Sequence, residues 1–351
     1  MFEKLTPAIG HSPYRLPAEW EPQSGVQLTW PHAQTDWAPM LDDIVRTYRE
    51  IAREIEKREA LLVVGPPSND TWARDHGFIT LVAGPSSSGT QGSQSPDSGM
   101  SAPRLLDFCF NGWGEKFPAD LDNALNRRLF DEGRFNGTYV DHLDFVLEGG
   151  SIESDGCGTI FTTTSCLLAP HRNQPLTRRQ IEERLTACLC AERVLWIEHG
   201  HLTGDDTDGH IDTLVRVAPH DTLLYVGCDD PKDEQYAELQ LMEEQLHTFR
   251  TLDGRPYRLL RLPSPRPVYD TTADGDAPDR LPATYANFLV INGAVLCPTY
   301  GQPALDAQAL AIIGSAFPGR DIVGIDCQSV IRQHGSLHCC TMQFPAGVLK
   351  P

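Results

Sequence analysis

The chain has 351 residues, enough for one large domain or two ordinary ones with a buried core. Its net charge of −19 argues against nucleic acid, whose phosphates would be repelled, and suits solubility or a small cationic ligand. No apolar run approaches a membrane span, and the first residues lack a basic region followed by an apolar one, so the chain reads as cytoplasmic with ten free thiols.

In chain order, the strand-like run "GVQLTW" leads to a helix predicted over 39–58. There Leu41, Ile44, Val45, Tyr48, Ile51, Ala52 and Ile55 recur at three- and four-residue steps and form one apolar stripe. After the strand "ALLVVG" comes "NDTWARDHG" (69–77), which packs Asp70, Arg74 and Asp75 around Trp72. A turn with solvated charges is the plain alternative. An aromatic face beside a carboxylate, however, suits a planar cation.

The strands "GFITLV" and "RLLDFCF" bracket a Ser-, Gly- and Pro-rich stretch, read as a flexible surface insertion at about 84–103. A helix is expected near 118–131. The segment "LEGGSIESDGCGTIF" (147–161) reads as a hairpin through its Asp-Gly pair. Glu148 stands before two glycines, which let a backbone approach something closely. The run "GTIFTTTSCLL" is strand-like. A helix over 178–192 follows, with Thr177 as its N-cap and Cys188 and Cys190 as buried structural thiols.

"GHLTGDDTDGHIDTLVRV" (200–217) crowds Asp205, Asp206, Asp208, His210 and Asp212 ahead of an apolar strand. On a strand His210 and Asp212 share a face, and a carboxylate beside a histidine raises its basicity. A calcium loop is a competitor, but an EF-hand would need Glu where Arg216 stands. Helices near 233–250 and 304–316 flank an acidic, Pro-rich loop at 264–285, read as a rim or lid. The strands "NFLVING", "AVLCPTY" and "DIVGIDC" complete this half. Near the end, "GSLHCCTMQFP" read as a strand would place Cys339 and Cys340 on opposite faces. Five helices separated by groups of two or three strands imply an α/β chain with a repeating module, although no residue-level repeat is visible.

Seven motifs in order carry a resemblance over nearly the whole chain: "PAEWEPQSGVQLTWPHAQTDW", "NDTWARDHGFI", "FNGWGEKF", "LEGGSIESDGCGTIFTTTSCLL", "DDTDGHIDTLVRV", "YANFLVINGAVLCPTYG" and "GSLHCCTMQFP". Together they resemble the agmatine deiminase and bacterial-type peptidylarginine deiminase family of the guanidino-group-modifying (pentein) superfamily. The resemblance implies a single catalytic domain over 1–351, folded as a five-bladed, pseudo-fivefold α/β propeller. It implies a hydrolase that converts agmatine to N-carbamoylputrescine and ammonia in polyamine (putrescine) biosynthesis, through a covalent cysteine amidino-thioether. Peptidylarginine, or another arginine derivative, is the alternative substrate. No metal or organic cofactor is implied. The implied partner is a small cationic guanidino substrate; no nucleic acid or membrane is expected, and a homodimer is compatible.

By the same resemblance Cys339 aligns with the nucleophile, His210 with the general acid/base, and Asp75 and Asp212 with guanidinium ligands. Glu148, Trp72, Trp113, Asn287 and Asp206 align with substrate-binding positions. The chain departs from the family at His334-Gly335-Ser336, where a glycine run is usual, and in its aspartate-rich "DDTDGHID". A zinc hydrolase built on His210, Asp212, His338 and Cys339 has plausible ligand types but no standard spacing. A non-catalytic binding protein on the same scaffold would leave the full polar set without a use.

Overall fold

The structure, a computed structural model, describes residues 12–84, 102–270 and 278–350. Most of the 84–103 insertion and the middle of the 264–285 loop lie outside the described residues.

One pattern recurs through the chain: an antiparallel pair of strands, then a helix, then a strand parallel to the second of the pair. It is seen in β3 (Ile79–Ala83), β4 (Arg104–Cys109), α2 (Leu125–Asp131) and β5 (Thr138–Val146). It returns in β6 (Ile152–Ser154), β7 (Thr159–Thr163), α3 (Arg178–Leu189) and β8 (Arg193–Ile197). A third copy is β9 (Val215–Ala218), β10 (Thr222–Val226), α4 (Tyr236–Leu246) and β11 (Arg258–Leu262). A fourth is β12 (Leu289–Ile291), β13 (Ala294–Thr299), α5 (Pro303–Ala316) and β14 (Asp321–Asp326). The remaining copy is assembled from both ends of the chain. The C-terminal β15 (Thr341–Pro345) pairs antiparallel with β1 (Gln23–Thr29), which runs parallel to β2 (Ala60–Val64) across α1 (Leu41–Glu56). A parallel neighbour needs a long crossover, and each helix supplies one.

The helices form for local reasons and are fixed by burial. α1 buries Ile44, Thr47, Tyr48, Ile51, Ala52 and Ile55, six positions on one face. α3 starts at a capping box in which Thr177 and Gln180 satisfy each other's backbone groups, and it ends at Cys190 in the left-handed region (φ 54°). The helices also reach sheets other than their own. α1 packs on β14, α5 on β11 and α4 on β8.

Several local expectations differ from the structure. The 118–131 helix is broken into Asp120–Asn123 and Leu125–Asp131. The run after Thr163 leaves the sheet because the Thr163 side chain accepts from Cys166 N and caps a helical turn, Thr164–Leu167. Cys188 and Cys190 are only half-buried. More important, His210–Asp212 and His338–Cys340 are not on strands. His210 caps the 3-10 turn Ile211–Thr213, and His338–Cys340 is itself a 3-10 turn. Threonine hydroxyls explain both. Thr213 Oγ1 donates to His210 O (2.8 Å) and Thr341 Oγ1 to His338 O (2.9 Å), giving the backbone a local alternative to a ladder. Among the described residues no helix is long and apolar enough to cross a membrane.

Candidate active site

The same position in each module carries a polar residue: the turn that enters its first strand. Asp75 lies in the helical turn Ala73–His76 before β3, and Glu148 caps the turn Gly149–Ser151 before β6. His210 and Asp212 lie in the turn before β9, Asn287 just before β12, and Cys339 in the turn before β15. Ala73–His76 packs against both His338–Cys340 and Gly149–Ser151, and the latter against Ile211–Thr213. The side chains are deeply buried: Glu148, His210, Asp212 and Asn287 are fully enclosed, and Asp75 and Cys339 nearly so.

Three carboxylates are each tethered through one oxygen. Trp113 Nε1 donates to Asp75 Oδ2 (2.9 Å), His338 Nδ1 to Asp212 Oδ2 (2.8 Å), and Arg172 Nε to Glu148 Oε1 (3.0 Å). Among the described residues the opposite oxygens of Asp212 and Glu148 have no hydrogen-bond partner, and that of Asp75 receives Gly150 N at 3.2 Å and lies 3.7 Å from His210 Nδ1. Buried acceptors left open in this way are suited to N–H groups supplied by a ligand. Gly150 marks the centre. A Cβ there would sit 2.6 Å from His210 Nδ1, 2.9 Å from Asp75 Oδ1 and 3.2 Å from Asp212 Oδ2. The missing side chain lets two carboxylates and an imidazole crowd in, so that the space against Gly150 is too small even for a methyl group.

The Cys339 thiol adjoins this space. Asn287 Nδ2 donates to its Sγ (3.3 Å), and Asp212 Oδ2 lies 3.8 Å from it. Asn287 Oδ1 accepts the backbone N–H groups of His338 (2.8 Å) and Cys339 (3.3 Å), which holds the turn in place. Burial, then the charges of Asp212 and Asp75, push the thiol well above the usual thiol range. Burial lowers the His210 ring, but Asp75, Cys166 and Glu148 together outweigh it and raise its pKa to about 10. Burial raises the Asp75 carboxyl to about 6, against the pull of His210. For Asp212 the burial effect is overcome by His338, His210 and Arg216, so its pKa is lowered. The pocket therefore holds an imidazolium, a neutral thiol and surplus carboxylate. A cation bound beside these carboxylates would stabilise the thiolate.

Trp113 reaches Asp75 through strained backbone. Gly112, Trp113, Gly114 and Glu115 all have positive φ (67°, 57°, 86° and 66°). For Trp and Glu such a run costs energy and needs anchoring. Gly114 N donates to Asn111 Oδ1 (3.0 Å), and Phe110 and Phe117 meet the indole edge-on. Trp72 is buried, with its ring against Gly335, where a Cβ would come within 2.3 Å of it. Asp70 accepts from the indole N–H groups of both Trp72 and Trp37 (3.0 Å each), so Asp70 orders the aromatic wall. Asp206 is not in the buried cluster. Its side chain is 44% exposed at the rim, 3.9 Å from His334 Nδ1, because Asp205 rather than Asp206 turns inward to accept Gly209 N (2.7 Å) and cap the loop.

Five residues that sequence reasoning gave no place in the deiminase site belong to the cluster. Arg172 tethers Glu148. His338 Nε2 lies 2.9 Å from Glu19 Oε2, which pairs with Arg216 (2.7 Å), and Arg216 also pairs with Glu153 (2.6 Å). The histidine, which had been considered as a zinc ligand with Cys339, instead bonds Asp212. Glu19 lies in "PAEWEP" and His338 adjoins the cysteine, so both motifs were visible without their pairing.

The model of the Porphyromonas-type peptidyl-arginine deiminase family matches residues 15–345. Agmatine deiminase of Pseudomonas aeruginosa is 32% identical, covering 95% of this chain and 96% of the relative. Among solved structures, a Porphyromonas gingivalis protein provisionally described as an arginine deiminase is 47% identical with a TM-score of 0.85, covering 96% of this chain and 100% of that one. Campylobacter jejuni agmatine deiminase, solved as a C315S variant with substrate bound, is 34% identical with a TM-score of 0.85, covering 98% and 99%.

Proposed function

Because the chain belongs to the Porphyromonas-type peptidyl-arginine deiminase family, we propose that it hydrolyses agmatine to N-carbamoylputrescine and ammonia. The observation that carries this is the convergence of three buried carboxylates, Asp75, Asp212 and Glu148, beside His210 and the Cys339 thiol, with one oxygen of Asp212 and one of Glu148 left without a partner among the described residues. A guanidinium presents a flat fork of N–H donors and stays protonated at any working pH, so it supplies both the donors and the charge that those carboxylates lack.

Asp75 and Asp212 grip the fork and orient its carbon toward Cys339. Guanidinium binding offsets the negative charge that holds the thiol neutral, the Cys339 proton is released to solvent, and the thiolate attacks the carbon. His210 gives its proton to the departing nitrogen, and ammonia leaves an amidino-thioether on Cys339. His210 then takes a proton from water, whose oxygen attacks the same carbon. Collapse breaks the carbon–sulfur bond and releases the ureido product.

The proposal extends to the architecture. The repeated modules form a closed five-bladed α/β propeller within one catalytic domain over 1–351, with the site at the inner ends of the blades. Three relations support this: α4 reaches β8, α5 reaches β11, and α1 of the first module reaches β14 of the last. The pairing of β15 with β1 joins the chain's two ends in one sheet.

A second substrate, arginine free or within a peptide, is favoured by one observation: the 47% identical relative is the one described as an arginine deiminase. Ammonia release from agmatine, free arginine and an arginyl peptide, measured side by side with Cys339→Ser as the blank, decides between them. Agmatine should give the highest kcat/KM. Preference for either arginine substrate would replace agmatine, and no release from any would refute the deiminase assignment.

A further inference from the structure

One buried thiol in the pocket has no part in the reaction just described. Cys166, in the turn Thr164–Leu167 at the end of β7, is fully enclosed. Its Sγ, a carboxylate oxygen of Glu148 and a ring nitrogen of His210 all lie within 4.8 Å of one another. Among the described residues Glu148 Oε2 and both nitrogens of His210 have no hydrogen-bond partner, although both side chains are fully buried; His210 Nδ1 lies 3.7 Å from Asp75 Oδ1. A thiol, an imidazole and a carboxylate at this spacing form a mixed sulfur, nitrogen and oxygen donor set.

We propose that Glu148, Cys166 and His210 form an inhibitory binding site for a thiophilic divalent cation, of which Zn2+ is the representative. Zinc bonds of roughly 2.0–2.3 Å put tetrahedral ligands about 3.3–3.7 Å apart, so closure needs side-chain movements of about 1 Å. The set suits zinc, whose sites combine Cys, His and carboxylate, and excludes magnesium and calcium, which prefer all-oxygen shells. Binding releases the Cys166 proton, and any proton on the coordinated His210 nitrogen, to solvent. The sulfur–metal bond forms without any change in oxidation state.

Inhibition follows from position. His210 bound to metal cannot deliver a proton to the leaving nitrogen. Glu148 gives its open oxygen to the metal, so the guanidinium loses an acceptor. Metal and substrate therefore exclude each other.

The test needs no substrate. Zn2+ affinity is measured by competition with an indicator chelator on the full chain, and Co2+ is used to report a thiolate charge-transfer band. Wild type and Cys339→Ala should bind alike and show the band. Cys166→Ser should lose the band and bind at least roughly 10–100-fold more weakly, since losing a ligand costs no less than losing an outer-shell partner. Glu148→Gln should weaken binding and keep the band, which preserves the test if Cys166→Ser does not fold. Wild type that binds no Zn2+, or a band that survives in Cys166→Ser and vanishes in Cys339→Ala, would overturn the site. With any substrate the chain turns over, Zn2+ inhibition should be competitive and reversed by excess chelator. Binding without inhibition would overturn the inhibitory role.

Discussion

His338 Nδ1 donates to Asp212 Oδ2 at 2.8 Å and leaves Oδ1 of that carboxylate open to the pocket. The histidine thus decides which oxygen Asp212 can offer. The far side of its ring rests against Glu19 Oε2 (2.9 Å), itself held by Arg216. His338→Phe keeps the volume and removes the tether. Its kcat/KM should fall by roughly 10²–10³, about 3–4 kcal/mol of lost positioning, in protein that a melting curve shows to be fully folded at the assay temperature. Steady-state kinetics beside a melting curve check this. A large drop in Tm with near-normal kcat/KM would make the histidine structural.

Gly150 should tolerate no side chain. Its φ is ordinary, so Gly150→Ala does not strain the backbone, but the methyl would meet His210, Asp75 and Asp212 at 2.6, 2.9 and 3.2 Å. Substrate binding should be lost by at least roughly 100-fold with the fold retained. Calorimetric titration of substrate into the variant in a Cys339→Ala background checks this, and unchanged affinity would show that the guanidinium lies elsewhere.

The adjacent thiols should separate. Cys339 contacts Asn287 and Asp212, whereas Cys340 Sγ donates to Ser336 O (3.4 Å), away from the carboxylates. Cys339→Ser should abolish turnover, and Cys340→Ala should keep most of it. Equal losses in an ammonia assay would remove Cys339 as the nucleophile.

Arg172 and Glu148 form a fully buried ion pair at 3.0 Å. Arg172→Met leaves the Glu148 carboxylate buried without its partner. That should lower unfolding stability by ~3–5 kcal/mol. The double variant Arg172→Met/Glu148→Gln should recover part of the stability but not the activity. Urea unfolding of the wild type and the two variants checks the order.

The pattern of legibility follows chain distance. Cys339, His210, Asp212, Asp75 and Glu148 could be picked out because each sits in a short polar cluster beside an apolar strand, and the family resemblance named their roles. The paired glycines signalled close approach, but not that Asp75, Asp212 and His210 lay opposite Gly150. The tethers were not legible. His338 and Asp212 are separated by 126 residues, and Arg216 and Glu19 by 197. The two catalytic segments were expected as strands because their apolar spacing fits one. Hydroxyls of Thr213 and Thr341 turn them into 3-10 corners instead. Asp206 looked equivalent to its neighbours in an aspartate run, and only the loop's own hydrogen bonds send Asp205 inward and Asp206 to the rim.

The most direct test is to acid-quench the enzyme during turnover of agmatine and find the adduct by peptide mass spectrometry. The account predicts an amidino group on Cys339 alone, absent from the Cys339→Ser protein and appearing with ammonia release. An adduct on Cys166 or Cys340, or ammonia release that continues in Cys339→Ser, would contradict it.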